Sequence, residues 1–323
     1  MSSSDLIQTT EPVGQTPEPT RKPARTGRRP RYLLAREGPL AALMLLPSIV
    51  YIIALVAVPF FLAIAYSLSS ATIGNPSMHW VGLRNFKRAV ANPVFGEALL
   101  NNVLMTLISL VGVVILATIL AMVLSKDFHG KWIVRLLVLL PWTTPVALSS
   151  ILWLWMFDSL YSPIDWVLRN LGLIDGSINW LGNPAPAFAA VIITQIWRIT
   201  PLAAVIVMAG LLSVPTEVEE QSEIDGAGFW RKMFEVTLPL TMPVIAVATL
   251  FGGILIFTDL TTVYVLTRGG PINATQVLPT WAFFTGIEGA DLAQGAAIAL
   301  FLFPVLLAFA VLILRAVRRT DVS

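Results

Sequence analysis

Two charged side chains stand out by where they lie. Arg198 and Asp259 are the only charged residues inside six long apolar runs of this chain. Charge within a membrane is costly, and side chains that carry it usually face a protein interior or a solute pathway. Gln195, Trp197 and Thr200 surround Arg198 in sequence, and Thr258, Thr261 and Thr262 surround Asp259. Such a mixture could bind a polar solute. Charged and amide groups offer strong hydrogen bonds, and an aromatic ring covers an apolar face. Trp197, Arg198, Thr200, Thr258 and Asp259 are therefore candidate solute-binding residues. The competing reading is that Arg198 and Asp259 pair with each other, or with a neighbouring subunit, and only hold helices together. Arg198 could also lie near the membrane surface and snorkel to it.

Other chemistry is poorly supplied. The chain has no cysteine, and its two histidines, His79 and His129, are far apart, so no catalytic residue and no metal site is assigned. Asp158, Asp165 and Asp175 fall in segments between the runs at a spacing that matches no catalytic motif. An integral membrane enzyme would need such a carboxylate set. No phosphate-binding loop is found either: Gly130-Lys131 lacks the earlier glycine and the following hydroxyl.

The elements that must position these residues are membrane helices. Of 323 residues, 56% are hydrophobic and 12% charged, about half the charge of a soluble chain. Mean hydropathy is +0.78. The six runs cover 40–71, 98–125, 136–157, 187–213, 240–267 and 292–314, each long enough to cross a hydrocarbon core as a helix. Lysines and arginines before the first run, between the second and third, between the fourth and fifth, and after the sixth number fifteen, against five on the other side. The positive-inside rule then puts both termini in the cytoplasm of a multi-pass chain in the cytoplasmic (inner) membrane. The length of the first run and its polar leader argue against a cleaved signal peptide.

Residues 1–38 are rich in Ser, Thr, Pro and Arg and read as a disordered basic cytoplasmic tail, whose arginines could touch anionic lipid. Residues 39–315 form the six-helix domain, and 316–323 a short cytoplasmic tail. Pro47, Pro59, Pro141, Pro145, Pro201, Pro243 and Pro304 lie in or near the runs and predict kinked helices. Trp80, Tyr161, Trp166, Trp180 and Trp281 fall outside the runs, either as an interfacial belt or as docking groups for an external partner or sugar.

The segment 215–239 carries the second site. Thr216 and Glu219 have capping-box spacing, which predicts a short helix from Thr216. Gly226 and Gly228 interrupt it. Phe229, Met233 and Phe234 give a second short helix an apolar face, and Pro239 is expected to end it. The result is an elbow on the cytoplasmic face, acidic on its first arm, basic and aromatic on its second. Such a knob suits a partner with a groove.

Glu220-Gln221-Ser222-Glu223-Ile224-Asp225-Gly226-Ala227, followed by Val236-Thr237-Leu238-Pro239, resembles the coupling loop of ABC importer permeases. That motif opens Glu-Ala-Ala, has Gly six residues after the Glu, and closes Ile-x-Leu-Pro. Glu220, Gly226, Leu238 and Pro239 match its spacing; Val236 replaces Ile, and Gln221 and Ser222 depart from Ala-Ala. Trp80-Val-Gly-Leu-Arg-Asn-Phe86, Leu140-Pro-Trp-Thr-Thr-Pro145 and Thr267-Arg-Gly-Gly-Pro271 resemble further segments of sugar permeases, from about residue 40 to the end. The resemblance is to the branch handling maltose, trehalose and glycerol-3-phosphate, and most nearly to trehalose importers of mycobacteria.

The resemblance implies an all-α, type I ABC importer permease fold and a transport subunit that is not itself an enzyme. Glu220, Asp225, Gly226, Ala227, Leu238 and Pro239 would couple it to an ATPase. The family's sugar contacts fall on stretches matching those around Trp197 and Asp259, although the family has an amide where Asp259 stands. The implied partners are a second permease subunit, a cytoplasmic ATPase homodimer holding ATP and Mg, an extracellular or lipid-anchored sugar-binding protein, and membrane lipid; nucleic acid is not among them. This chain needs no cofactor of its own. The substrate would be a sugar, best a disaccharide such as trehalose or maltose. An ion-coupled secondary transporter is the main alternative. It would call for more acidic or histidine residues in the runs, and for an internal repeat that is not evident.

Overall fold

A computed structural model describes residues 37–320, with side chains from 41 to 315. The expectations for the basic leader 1–38 and the tail 316–323 lie outside the described side chains. Among the described residues the fold is helical, with a single isolated bridge between Ser69 and Trp80 as its only strand-like pairing. The chain divides into two units, residues 1–56 and 57–323. The first holds α1 (Glu37–Ile52), with Pro47 inside it. From residue 41 onward α1 is exposed, as suits an apolar helix meant to face lipid or a partner.

The second unit contains α2 (Val58–Ser67), α3 (Arg84–Ala91), α4 (Pro93–Ser125), α5 (Lys131–Thr143), α6 (Val146–Met156) and α7 (Pro163–Asn170). It continues with α8 (Pro184–Leu211), α9 (Thr216–Ile224), α10 (Phe229–Lys232), α11 (Leu238–Phe257) and α12 (Thr261–Leu266). The chain closes with α13 (Leu278–Phe283), α14 (Leu292–Leu300) and α15 (Leu302–Thr320). Among the described residues, five helical stretches are long and apolar enough to cross a membrane, and up to six if one bent pair counts as a single span.

That pair corrects the reading of 136–157 as one plain span. Helices α5 and α6 meet at 98°. Thr144 is extended (ψ 134°) ahead of Pro145. A residue before proline is pushed out of the α region by the ring. Pro141, by contrast, is carried inside α5, as Pro201 and Pro243 are inside α8 and α11.

The core lies where α4, α8 and α11 pack together. Val113, Ala117, Ala121, Ile199, Ala203, Ala204, Val207 and Ala248 are buried there. Small residues let backbones approach closely, which drives helix association in lipid, where apolar burial drives little. Gly210 shows how close: a Cβ there would stand 2.8 Å from Val244 Cβ. A second cluster gathers Met105, Phe157, Val191, Val263 and Leu266, and a third gathers Ala89, Ala98, Leu278, Trp281 and Ile298.

The fifth run, expected over 240–267, is displaced and broken. The helical path begins at Phe229 and ends at Phe257. Chain turn 258–260 then separates it from α12. The Thr258 hydroxyl donates to the Ile254 carbonyl (2.7 Å), and Asp259 Oδ1 accepts the Thr261 amide (3.1 Å). Short polar side chains that bond local backbone compete with the helix ladder in this way. Asn102 fastens the break from α4. Its Nδ2 donates to the Phe257 carbonyl (3.0 Å), and its Oδ1 accepts the Leu278 amide (3.0 Å) at the start of α13.

Candidate functional site

Arg198 on α8 and Asp259 in the break after α11 face each other. Arg198 Nη2 is 3.4 Å from Asp259 Oδ2, with the two side chains 7% and 8% exposed. Gln195, one turn before Arg198, completes the set. Its Oε1 accepts from Arg198 Nη2 (2.8 Å), and its Nε2 donates to Asp259 Oδ2. The amide therefore relays between cation and anion. Arg198 Nε is enclosed and, among the described residues, without a partner. A void of about 10 Å³ beside Asn102, Gln195 and Asp259 is at the lower limit for one water.

The other candidates lie near but point elsewhere. Thr200 is buried and donates its hydroxyl to the Ile196 carbonyl (2.7 Å). Trp197 is half-buried, edge-on to Trp153 with centroids 5.6 Å apart. Thr258 is exposed with its hydroxyl turned onto α11. A disaccharide needs a pocket of hundreds of Å³, so in this conformation the set is closed on itself. Of the readings open for Arg198 and Asp259, mutual pairing is present in this structure, with Arg198 buried at 6% exposure. Asn102 was missed. Its signal was the pair Asn101-Asn102 inside an apolar run.

Of the carboxylates outside the runs, Asp158 and Asp165 serve local structure and Asp175 is exposed. Asp158 accepts the amides of Leu160 and Tyr161, both at 2.8 Å, and the Tyr161 and then the Leu160 bond hold its carboxyl below the usual range. Asp165 is 1% exposed and accepts Trp180 Nε1 (2.7 Å) and the Ile178 amide (2.8 Å). Trp180 is half-buried against the second cluster, and Trp281 is buried in the third. Trp80, Tyr161 and Trp166 remain exposed.

The elbow is present with two corrections. Its first arm, α9, starts at Thr216 with no side-chain cap, so the capping box does not form. Glu219 instead reaches Lys232 Nζ across the elbow (3.1 Å). Pro239 does not end the second arm. A π-helical turn, Met233–Thr237, joins α10 to α11, and Pro239 falls in the first turn of α11. The wider turn accommodates the missing proline N–H.

The bend is a Schellman cap on α9. Gly226 has φ +75°, its N–H donates to the Glu223 carbonyl (3.0 Å), and the Ala227 N–H donates to the Ser222 carbonyl (3.0 Å). Glycine adopts this left-handed position without a Cβ clash. Glu220, Asp225 and Gly226 are exposed at the tip, Ala227 and Leu238 half-buried, and Pro239 exposed. Ile224 is 85% exposed beside them, an apolar tip that sequence alone did not single out. Beneath the elbow lies a cavity of about 630 Å³, lined among others by Lys126, Leu211, Glu219, Glu223 and Lys232.

Residues 113–321 match the model of the family described as binding-protein-dependent transport system inner membrane component. The chain belongs to this family. As an inner membrane component it shares 31% identity over 293 residues with the sulfoquinovosyl glycerol transport system permease protein SmoG of Agrobacterium fabrum, covering 90% of this chain and 94% of that one. The trehalose/maltose transport system permease protein MalF of Thermococcus litoralis is 32% identical over 280 residues, covering 87% and 94%. A bacterial ABC transporter involved in the import of the acidic polysaccharide alginate has the same fold. Its TM-score is 0.74 at 21% identity, over 88% of this chain and 97% of that one. The family match includes α8, the break at Asp259 and the whole elbow, but begins after Asn102.

Proposed function

We infer that this chain is the membrane-spanning permease subunit of an ABC importer for a sugar, best a disaccharide such as trehalose or maltose. The observation that carries the reading is the elbow. An exposed, sharply capped knob (Glu220, Ile224, Asp225, Gly226) stands on a helix continuous with a membrane-crossing one, in a chain of the binding-protein-dependent family. A knob that is rigid at its bend can pass motion from a cytoplasmic ATPase, which binds ATP and Mg, into α11. Glu220, Asp225, Gly226, Ala227, Leu238 and Pro239 carry that coupling. The sugar class is supported by relatives named for sulfoquinovosyl glycerol, trehalose/maltose and diacetylchitobiose. The trehalose branch read from the sequence, as in mycobacteria, is part of this proposal.

Delivery by an external binding protein is supported by a solved relative in fold, an alginate transporter in complex with an alginate pentasaccharide-bound periplasmic protein. A second permease subunit would cover apolar helix faces left exposed here, such as Leu107, Ile115 and Ile119 on α4. Sugar passes where Gln195, Arg198 and Asp259 now close on one another. In the open state its hydroxyls take over hydrogen bonds of that set, the unpartnered Arg198 Nε included, with Trp197, Thr200 and Thr258 alongside. Differential contacts in two states are what let hydrolysis elsewhere drive the change.

Co-purification with an ATPase subunit, followed by stimulation of that ATPase by disaccharide and binding protein in vesicles, tests the reading. Solute transport by the purified chain alone, without ATP or a companion subunit, would overturn it.

A further inference from the structure

Lys232 holds the two arms of the elbow to each other. Its Nζ lies 2.9 Å from Glu223 Oε1 and 3.1 Å from Glu219 Oε2. The two glutamates are one helical turn apart on α9, on one face (i, i+4). The lysine stands at the C-terminal end of α10, across the Gly226 bend. Its side chain is 21% exposed, against 63% for neighbouring Arg231, and its stem lines the cavity under the elbow.

The two cations beside each other therefore do different things. Arg231 pairs with Glu235 on its own helix (2.8 Å, i, i+4), an exposed pair of small worth. Lys232 makes the inter-arm ion pairs, and it pairs with two carboxylates at once. Other inter-arm support is thin. Glu220, Gln221 and Asp225 are exposed on the first arm, and Phe229, Trp230 and Phe234 on the second. Backbone bonds fix the bend itself, through the Ser222 and Glu223 carbonyls. They leave the angle between the arms to side chains.

We propose that Lys232 is a positioning residue for coupling: its bridge to Glu219 and Glu223 fixes the angle between α9 and the helix leading into α11. The inference rests on the importer reading and adds to it the group that makes the knob stiff. A push delivered to the tip then moves α11 as one body. Without the bridge the elbow flexes, and part of the motion is lost there.

The chain has no cysteine, so two spin labels can be placed cleanly, at Gln221→Cys and Arg231→Cys, in the full-length protein. The distance distribution is narrow with Lys232 and broadens in Lys232→Met, which keeps the stem and removes the charge. Lys232→Arg restores it. A distribution as narrow in Lys232→Met as in the parent overturns the lock, whatever the ATPase does. In the assembled importer, sugar taken up per ATP hydrolysed falls at least fivefold in Lys232→Met at equal complex yield, with recovery in Lys232→Arg. A broadened distribution with unchanged uptake per ATP overturns the role in coupling. Failure of any ATPase to bind the parent chain counts against the importer reading, while the label experiment still reads the lock.

Discussion

Arg198 Nη2 and Asp259 Oδ2 stand 3.4 Å apart in a nearly closed part of the fold, bridged by the Gln195 amide. Because one residue belongs to α8 and the other to the break after α11, the pair links the two elements that line the candidate pathway. A buried pair of this kind adds little net stability, yet breaking it strands a charge and costs about 3–5 kcal/mol. Asp259→Ala is therefore expected to lower the melting temperature of the purified complex and its yield. The double variant Arg198→Met with Asp259→Met strands no charge and recovers most of both. Sugar uptake by this double variant at normal yield then isolates the transport role. Full uptake would show that the pair is structural only.

Ile224 at the elbow tip is 85% exposed, which places an aliphatic side chain where a partner could bury it. A central apolar contact in a protein interface carries about 2 kcal/mol or more, and each 1.4 kcal/mol is about tenfold in affinity. Ile224→Asp is expected to weaken ATPase association by about thirtyfold while leaving the melting temperature of the isolated chain within about 2 °C. Unchanged association in a titration of ATPase against the permease would remove Ile224 from the contact.

The spans were legible because hydrocarbon demands long uncharged helices, and the apolar runs say so directly. Where they break was less legible. The bend at Thr144–Pro145 follows from one proline, but Pro141, Pro201 and Pro243 stay inside helices, so proline alone does not mark a break. The interruption at Asp259 has local polar side chains behind it, but its fastening by Asn102, more than 150 positions away, is revealed by no local pattern. Arg198 and Asp259 were legible as the charged residues inside the apolar runs. Their closure on each other required Gln195 in space. At the elbow, the glycine and the two arms were read correctly. The cap at Thr216 failed because Pro215 takes the N-cap position and Thr216 is already the first helical residue, and the stop at Pro239 failed because a π-helical turn absorbs it.

Asp165 holds Trp180 and the Ile178 amide in the segment before α8. Asp165→Ala leaves two donors without an acceptor in a site where the carboxylate was 1% exposed. An enclosed unsatisfied donor costs about 1–3 kcal/mol. The melting temperature of the purified chain should fall by several degrees, with coupling at the elbow unaffected. A melting temperature equal to the parent's would mean that water replaces the carboxylate at no cost.

Gly226 separates conformation from space. A Cβ there would meet nothing within 4 Å, so bulk is no obstacle. The obstacle is φ +75°, which costs an ordinary L-residue about 1–2 kcal/mol and is better tolerated by Asn than by a β-branched side chain. Gly226→Asn is expected to retain most uptake, Gly226→Ala to lose part, and Gly226→Val to lose nearly all. Complex yield should follow the same order less steeply, because the strain bends the elbow more than it unfolds the membrane helices. The ranking is read from sugar uptake per milligram of complex. Equal loss for Asn, Ala and Val would mean that the glycine surface itself is needed at the ATPase contact and that the left-handed turn is not what selects it.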